Sequence, residues 1–350
     1  MTLHRDDLLA ITRPAGPEAG TYQLPVAALA EQLGTPPVLG SSGILWSTVR
    51  SAADNSWEAV CWSPELQLYA AVAGTGSGNR VMTSSDGIRW NVQPAAADQN
   101  WMALCWAAEL GLFVAVSNSG TGSRVMTSAD GRSWTLRQTP VDNSWTSICW
   151  SPELGLLVAV AGSGTGNRVI TSSDGSQWTA GPAAIDQVWR SVCWAPQLEL
   201  FVAVSSTGGA QRVMTSADGR SWTLRTSATS NNWVAICWAA ELGLLVALSS
   251  SGTGNRVMTS PDGITWTSRT SAADIAWNAL CWAPQRELLV AVATSGGTGN
   301  RIMTSADGIT WTLRSTPAST GWRSICWSPQ RRQFAAVSNS GAGNRVMVSP

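Results

Sequence analysis

The chain has 350 residues, 13% of them charged, and its 22 basic side chains, all arginine, balance 22 acidic ones. A net charge of zero leaves no basic field to hold a nucleic-acid backbone or an anionic membrane surface, and no apolar run approaches the roughly 18–20 residues of a membrane helix. Nucleic-acid binding and membrane insertion are therefore not expected, and the length suits either two or three ordinary domains or one large all-β closure.

Residues 1–40 read as a segment of their own. A short apolar strand in "DDLLAIT" is followed by a turn rich in Pro and Gly, a second short strand around Tyr22 and a small helix-like "VAALAEQL". Asp6 and Asp7 stand where a signal peptide would need its charged-then-apolar order, so export by the usual route is not expected. The segment is too small to fold alone. It is expected to be ordered by a partner or by its own copies, because it cannot bury enough surface to offset chain entropy.

From residue 41 to residue 350 the chain is a repeat. An opening Trp recurs at Trp57, Trp101, Trp145, Trp189, Trp233, Trp277 and Trp322, at five intervals of 44 residues and a last one of 45. A second Trp follows Cys in every unit, at Trp62, Trp106, Trp150, Trp194, Trp238, Trp282 and Trp327. The third closes a Ser-x-Asp-Gly-x-x-Trp motif in only six units, at Trp90, Trp134, Trp178, Trp222, Trp266 and Trp311, and the seventh is Trp46, near the start of the chain. The last unit stops at "NRVMVSP", so its missing piece lies at the other end: residues 322–350 and 41–56 together match one 45-residue unit. A ring gains from such a split because the shared blade leaves no open sheet edge. The expected fold is therefore all-β: a seven-bladed propeller of four-stranded antiparallel blades, with residues 41–50 supplying the outermost strand of the last blade.

Within each unit four strands are expected, as in "WMALCWA", "LFVAVSN", "SRVMTSA" and "SWTLRQT" of the second. The turns between them are "SPEL" or "AAEL", a Gly-rich "SGTG" and an Asp-Gly, whose Gly and Asp supply positive φ and local side-chain bonds. Antiparallel order sorts these onto two faces. The Gly-rich and inter-blade loops share the top; the Asp-Gly turns share the bottom. Cys61, Cys105, Cys149, Cys193, Cys237, Cys281 and Cys326 fall one per blade, too far apart to pair, and are read as free, buried small residues. His4 is the only histidine, so no zinc site is expected, and no cofactor of any kind.

The Gly-rich loops end in Arg80, Arg124, Arg168, Arg212, Arg256, Arg301 and Arg345, preceded by Asn79, Asn167, Asn255, Asn300 and Asn344 in five units. Beside the opening tryptophans on the top face these groups form candidate inter-blade pockets, in which an aromatic platform with planar donors would suit a sugar. The competing reading, which a strict repeat favours because repeated residues first serve the repeated packing problem, has Arg bridging blades and Trp filling the space between them. A phosphate loop is not supported, since neither Lys nor a helix follows the glycines.

The segments "SSDGIRW", "SADGRSW" and "SPDGITW" resemble the Asp-box, or bacterial neuraminidase repeat, of sialidases and other propellers. That resemblance implies structural hairpins on the face away from any active site, with Asp86, Asp130, Asp174, Asp218, Asp262 and Asp307 as turn residues. The sialidase inventory of an Arg cluster, a Tyr–Glu nucleophile and an acid Asp has no counterpart: Tyr22 and Tyr69 stand beside no matching Glu. No catalytic residue is assigned, and the chain is expected not to be an enzyme. The "DDLLAIT" segment with its Tyr strand resembles the N-terminal part of bacteriophage tail-fibre and baseplate-associated proteins, and "CWSPELGLLVAVAGSGTGNRVITSSDG" resembles repeats in virion-associated proteins of environmental phages, cyanophages among them. The resemblance implies a virion tail component, soluble in the host cytoplasm before assembly. Residues 1–40 would then dock on other tail or baseplate proteins, commonly as a homotrimer, and the propeller would recognise a host surface glycan. A purely structural tail component and a free multivalent propeller lectin are the competing readings.

Overall fold

The computed structural model describes residues 8–12, 21–25 and 42–350. The chain divides into two compact units, Met1–Ser41 and Ser42–Pro350. In the first, Leu8–Thr12 pairs antiparallel with Thr21–Pro25, in register from Leu8 opposite Pro25 to Thr12 opposite Thr21. The helix expected at "VAALAEQL" lies outside the described residues.

The second unit is the propeller. Its seven sheets each hold four antiparallel strands in simple order. The third blade is representative: Trp145–Ser151 innermost, then Leu156–Ala161, Val169–Ser172 and Thr179–Gly181. Its second and third strands are buried along their whole length because both faces of the blade are covered by neighbours. Apolar residues on both faces are what such a strand requires. The seven innermost strands touch one another in a closed circuit.

Packing between blades is the repeated unit of stability. Trp145 and Trp178 of the third blade share a cluster with Val114, Val116 and Val125 of the second, and Trp233 packs in the same way on Val202, Val204 and Val213. A buried Trp covers more apolar surface than any other side chain. The same buried Trp at each interface explains its strict recurrence.

Ring closure occurs as the split repeat requires. The last blade runs Trp322–Ser328, Gln333–Ser338 and Val346–Ser349, and Ser47–Val49 completes it, with Ser47 opposite Val348 and Val49 opposite Val346. The break falls inside the turn between the third and fourth strands. Gly43 (φ +81°) takes the place that Gly87 (φ +75°) holds in the first blade, and its N–H donates to Ser349 Oγ at 2.7 Å as that of Gly87 donates to Ser84 Oγ at 2.8 Å. Trp46 then lies over Phe334 and donates to the Gly43 carbonyl.

One irregularity recurs in every blade. The register between the first two strands slips immediately after the opening Trp, so that Trp145 faces Ala161 while Ser147 faces Val160. The same slip occurs at Trp57, Trp101, Trp189, Trp233, Trp277 and Trp322. A bulge of this kind leaves one extra residue unpaired and re-aims its side chain. Here that residue is Glu58, Met102, Thr146, Arg190, Val234, Asn278 or Arg323.

Candidate functional site

The seven opening tryptophans stand on the top side of the ring but are fully buried. This corrects the expectation of an aromatic platform for a sugar. In six blades the indole N–H donates to the carbonyl four residues earlier, as from Trp57 to Ala53 and from Trp189 to Ile185, both at 3.0 Å. Trp101, Trp233, Trp277 and Trp322 repeat the bond, and Trp145 alone has no acceptor. In those six blades ring face and polar edge are both occupied by the protein, and in the third the ring face is.

The loop-ending arginines fold back on their own loops and reach the next blade. Arg168 is typical: Nε donates to the Gly164 carbonyl at 2.8 Å, and Nη1 to Gly162 at 3.1 Å and to Gln187 of the following inter-blade loop at 2.6 Å. Arg124, Arg212, Arg256, Arg301 and Arg345 reach the carbonyls of Asn143, Asn231, Ile275, Thr320 and Asn55, and Arg80 reaches the Asn100 side chain. In five blades an inter-blade aspartate adds an ion-pair contact at 3.5–3.7 Å. Asn79, Asn167 and Asn255 accept from Asn55, Asn143 and Asn231 of their own blades. Asn344 Oδ1 is buried without a partner, and Asn300 is exposed in the one Gly-rich loop that is longer by a residue. The sequence left these groups between ligand binding and packing; in the structure they tie one loop to the next.

The bottom face carries its own ring of ties. The second Trp of each blade donates to a Glu or Gln in the first turn of the preceding blade, as from Trp106 to Glu65 at 2.6 Å, from Trp194 to Glu153 at 2.6 Å and from Trp62 to Gln330 at 2.8 Å across the closing seam. In the adjacent hairpins Asp174 Oδ1 accepts the N–H groups of Ser176 and Gln177 at 2.8 Å. Those bonds hold the carboxyl at about 2, and bonds from Ser133 and Arg132 do the same for Asp130.

The repeat position that varies most between blades lies at the top of the central channel. A cavity of about 190 Å³ is lined by all seven innermost strands, and the bulged residues Glu58, Met102, Thr146, Arg190, Val234, Asn278 and Arg323 form its rim. Arg323 Nε donates to Glu58 Oε2 at 2.7 Å and Nη1 to Asn278 Oδ1 at 3.3 Å, while Asn278 Nδ2 donates to the Arg323 carbonyl at 2.6 Å. Thr146 is turned to the Trp189 carbonyl. Arg190, in the fourth blade, has no hydrogen bond or ion pair among the described residues. Burial lowers its pKa, and nearby Arg323 lowers it further against a weaker opposing pull from Glu58. None of these residues was singled out from sequence. The signal was present as a single column of the repeat with six residue types in seven units, immediately beside an invariant Trp.

The seven cysteines are free but half-buried in the innermost strands, more open than the sequence suggested. Desolvation pushes Cys105 and Cys237 up to about 12, and neighbouring thiols add to the effect at Cys61. Such thiols stay protonated and are poor nucleophiles at neutral pH. Among the described residues no group of three or more His, Cys, Asp or Glu is placed to hold a metal, and no helix is long and apolar enough to cross a membrane.

No protein-family model matches the chain, and no curated protein matches its sequence. Solved structures do match it in fold. The GH74 enzyme of Niastella koreensis aligns with a TM-score of 0.66 at 14% identity over 87% of this chain and 53% of that one, so the chain spans about half its length. The RRP9 WD40 repeats align with a TM-score of 0.65 at 10% identity over 90% and 99% of the two chains. The Cps50 (Swd1) propeller domain of Myceliophteria thermophila gives 0.62 at 12% identity over 87% and 98%. These likenesses are to the propeller fold. That an enzyme shares it overturns the expectation that this chain is not one, because the architecture excludes no catalysis and function is decided at the site.

Proposed function

We propose that this chain is a binding module carried on a phage tail, that it recognises a glycan of the host surface, and that recognition takes place at the top mouth of the channel. The observation that carries this reading is the contrast between near-identical blades and the bulged residue of each. Groups that serve only to close a ring meet the same packing problem seven times and repeat. Groups that meet one asymmetric ligand have no reason to repeat. The tail assignment draws on the resemblance of the N-terminal segment, whose docking on baseplate proteins and trimeric state belong to the same proposal.

Attachment of the purified full chain to host cells tests it. Binding that soluble surface polysaccharide competes away, and that periodate treatment of the cells abolishes, is the expected result. Reducing ends released in the same incubation report whether the bound glycan is also cleaved. Failure to attach to any cell or polysaccharide in a panel from one habitat contradicts the reading and favours a structural tail component, for which the two rings of inter-blade ties are equally well suited.

A further inference from the structure

The charges at the channel mouth do not balance. Among the described residues, Arg190, Arg323 and Glu58 are the ionisable groups lining the cavity, so two guanidiniums face one carboxylate. Arg323 and Glu58 satisfy each other at 2.7 Å, with side chains only 21% and 11% exposed. Arg190 stands in the fourth blade, opposite the seam between the seventh and the first, with five donors and no acceptor among the described residues. A half-buried cation with no partner among the described residues is costly unless something supplies the opposite charge. Repeating any of the four uncharged rim residues, Met102, Thr146, Val234 or Asn278, at this position would have avoided it.

We infer that the mouth binds one carboxylate per ring, carried by an acidic sugar residue of the uronic acid type, with Arg190 as its principal ligand; the sugar, though not the charge, rests on the glycan reading above. One unit of uncompensated positive charge matches one monoanion. The planar guanidinium fork matches a carboxylate in two parallel bonds, and Arg323 Nη2 has no acceptor among the described residues and can share it. Val234 and Thr146 come from the blades on either side of Arg190, Met102 adds apolar wall from the second blade, and Asn278 comes from the blade beside Arg323. The volume of about 190 Å³ is below the ~300–1,000 Å³ of sites for drug-sized ligands, which suits a single sugar unit entering from the top and not a polymer threaded through.

Calorimetric titration of the full chain with glucuronate, galacturonate, glucose and sulfate tests the inference. A uronate is expected to bind with one site per chain, glucose and sulfate at least tenfold more weakly. Arg190→Gln is expected to weaken uronate binding at least tenfold, Arg190→Lys less, and Arg220→Ala, on an exposed bottom hairpin, not at all. No uronate binding, a stoichiometry near seven, preference for sulfate, or unchanged binding by a folded Arg190→Gln variant overturns the site. Attachment to cells separates this from the broader reading: cells bound equally by wild type and Arg190→Gln leave the adhesin standing and the site wrong. Uronate bound in solution without attachment to any cell leaves the site standing and the adhesin wrong.

Discussion

Blade interfaces and channel mouth are built from the same 44-residue unit under opposite rules. At every interface the Trp is buried, the Arg crosses to the next loop and the second Trp finds a Glu or Gln, so each of these cations has an acceptor within the protein and, Trp145 apart, so does each indole N–H. At the mouth, one residue away from that Trp, six residue types share seven positions and one arginine has no partner among the described residues. Repetition marks what holds the ring together, and its failure marks where something else is met.

Changes to the interfaces should cost stability in proportion to what they uncover. Deleting residues 42–50 removes the closing strand and exposes the Val346–Ser349 edge, so aggregation or loss of a cooperative thermal transition is expected. A deletant as stable as the parent breaks the closure account. Trp233→Ala opens a cavity between the fourth and fifth blades and should lower unfolding free energy by about 3–5 kcal/mol in denaturant titration. A loss below about 1 kcal/mol would mean the indole is not the filler that its burial indicates.

Smaller effects follow at the ties. Arg168→Ala strands the carbonyls of Gly162, Gly164 and Gln187 and should cost about 1–3 kcal/mol. The bottom hairpins sharpen the comparison through pH. Asp130, Asp174 and Asp218 have folded-state values of about 2, below the ~3.9 of an unfolded Asp. Their contribution is therefore complete above about pH 4 and is lost as pH falls toward 2. Each carboxylate is exposed and screened, so a gradual fall in Tm over that window is expected, flattened in Asp174→Asn. The smallest effect belongs to the mouth: Arg190→Gln removes a cation whose charged form the fold disfavours, so Tm should stay level or rise.

Much of the ring was legible before any coordinates. The displaced Trp46 and the truncated last unit announced closure, and the Asp-Gly and Gly-rich segments located the turns. The top-face site was not legible. An aromatic beside Arg and Asn has the composition of a sugar pocket whether its ring faces solvent or a neighbouring blade, and only the burial of all seven rings, with the bonds from six indoles to the carbonyl four residues back, distinguishes the two. The mouth was hidden by the bulge: strict alternation after Trp189 gives Arg190 no special aim, and a one-residue slip is needed to turn it into the channel.

The central claim is that recognition resides at the mouth and not in the repeated groups around it. Attachment of Arg190→Gln to host cells, measured beside wild type at matched concentration and with Tm confirmed, tests this most directly. Loss of attachment at unchanged Tm is the predicted result; attachment equal to wild type contradicts the account.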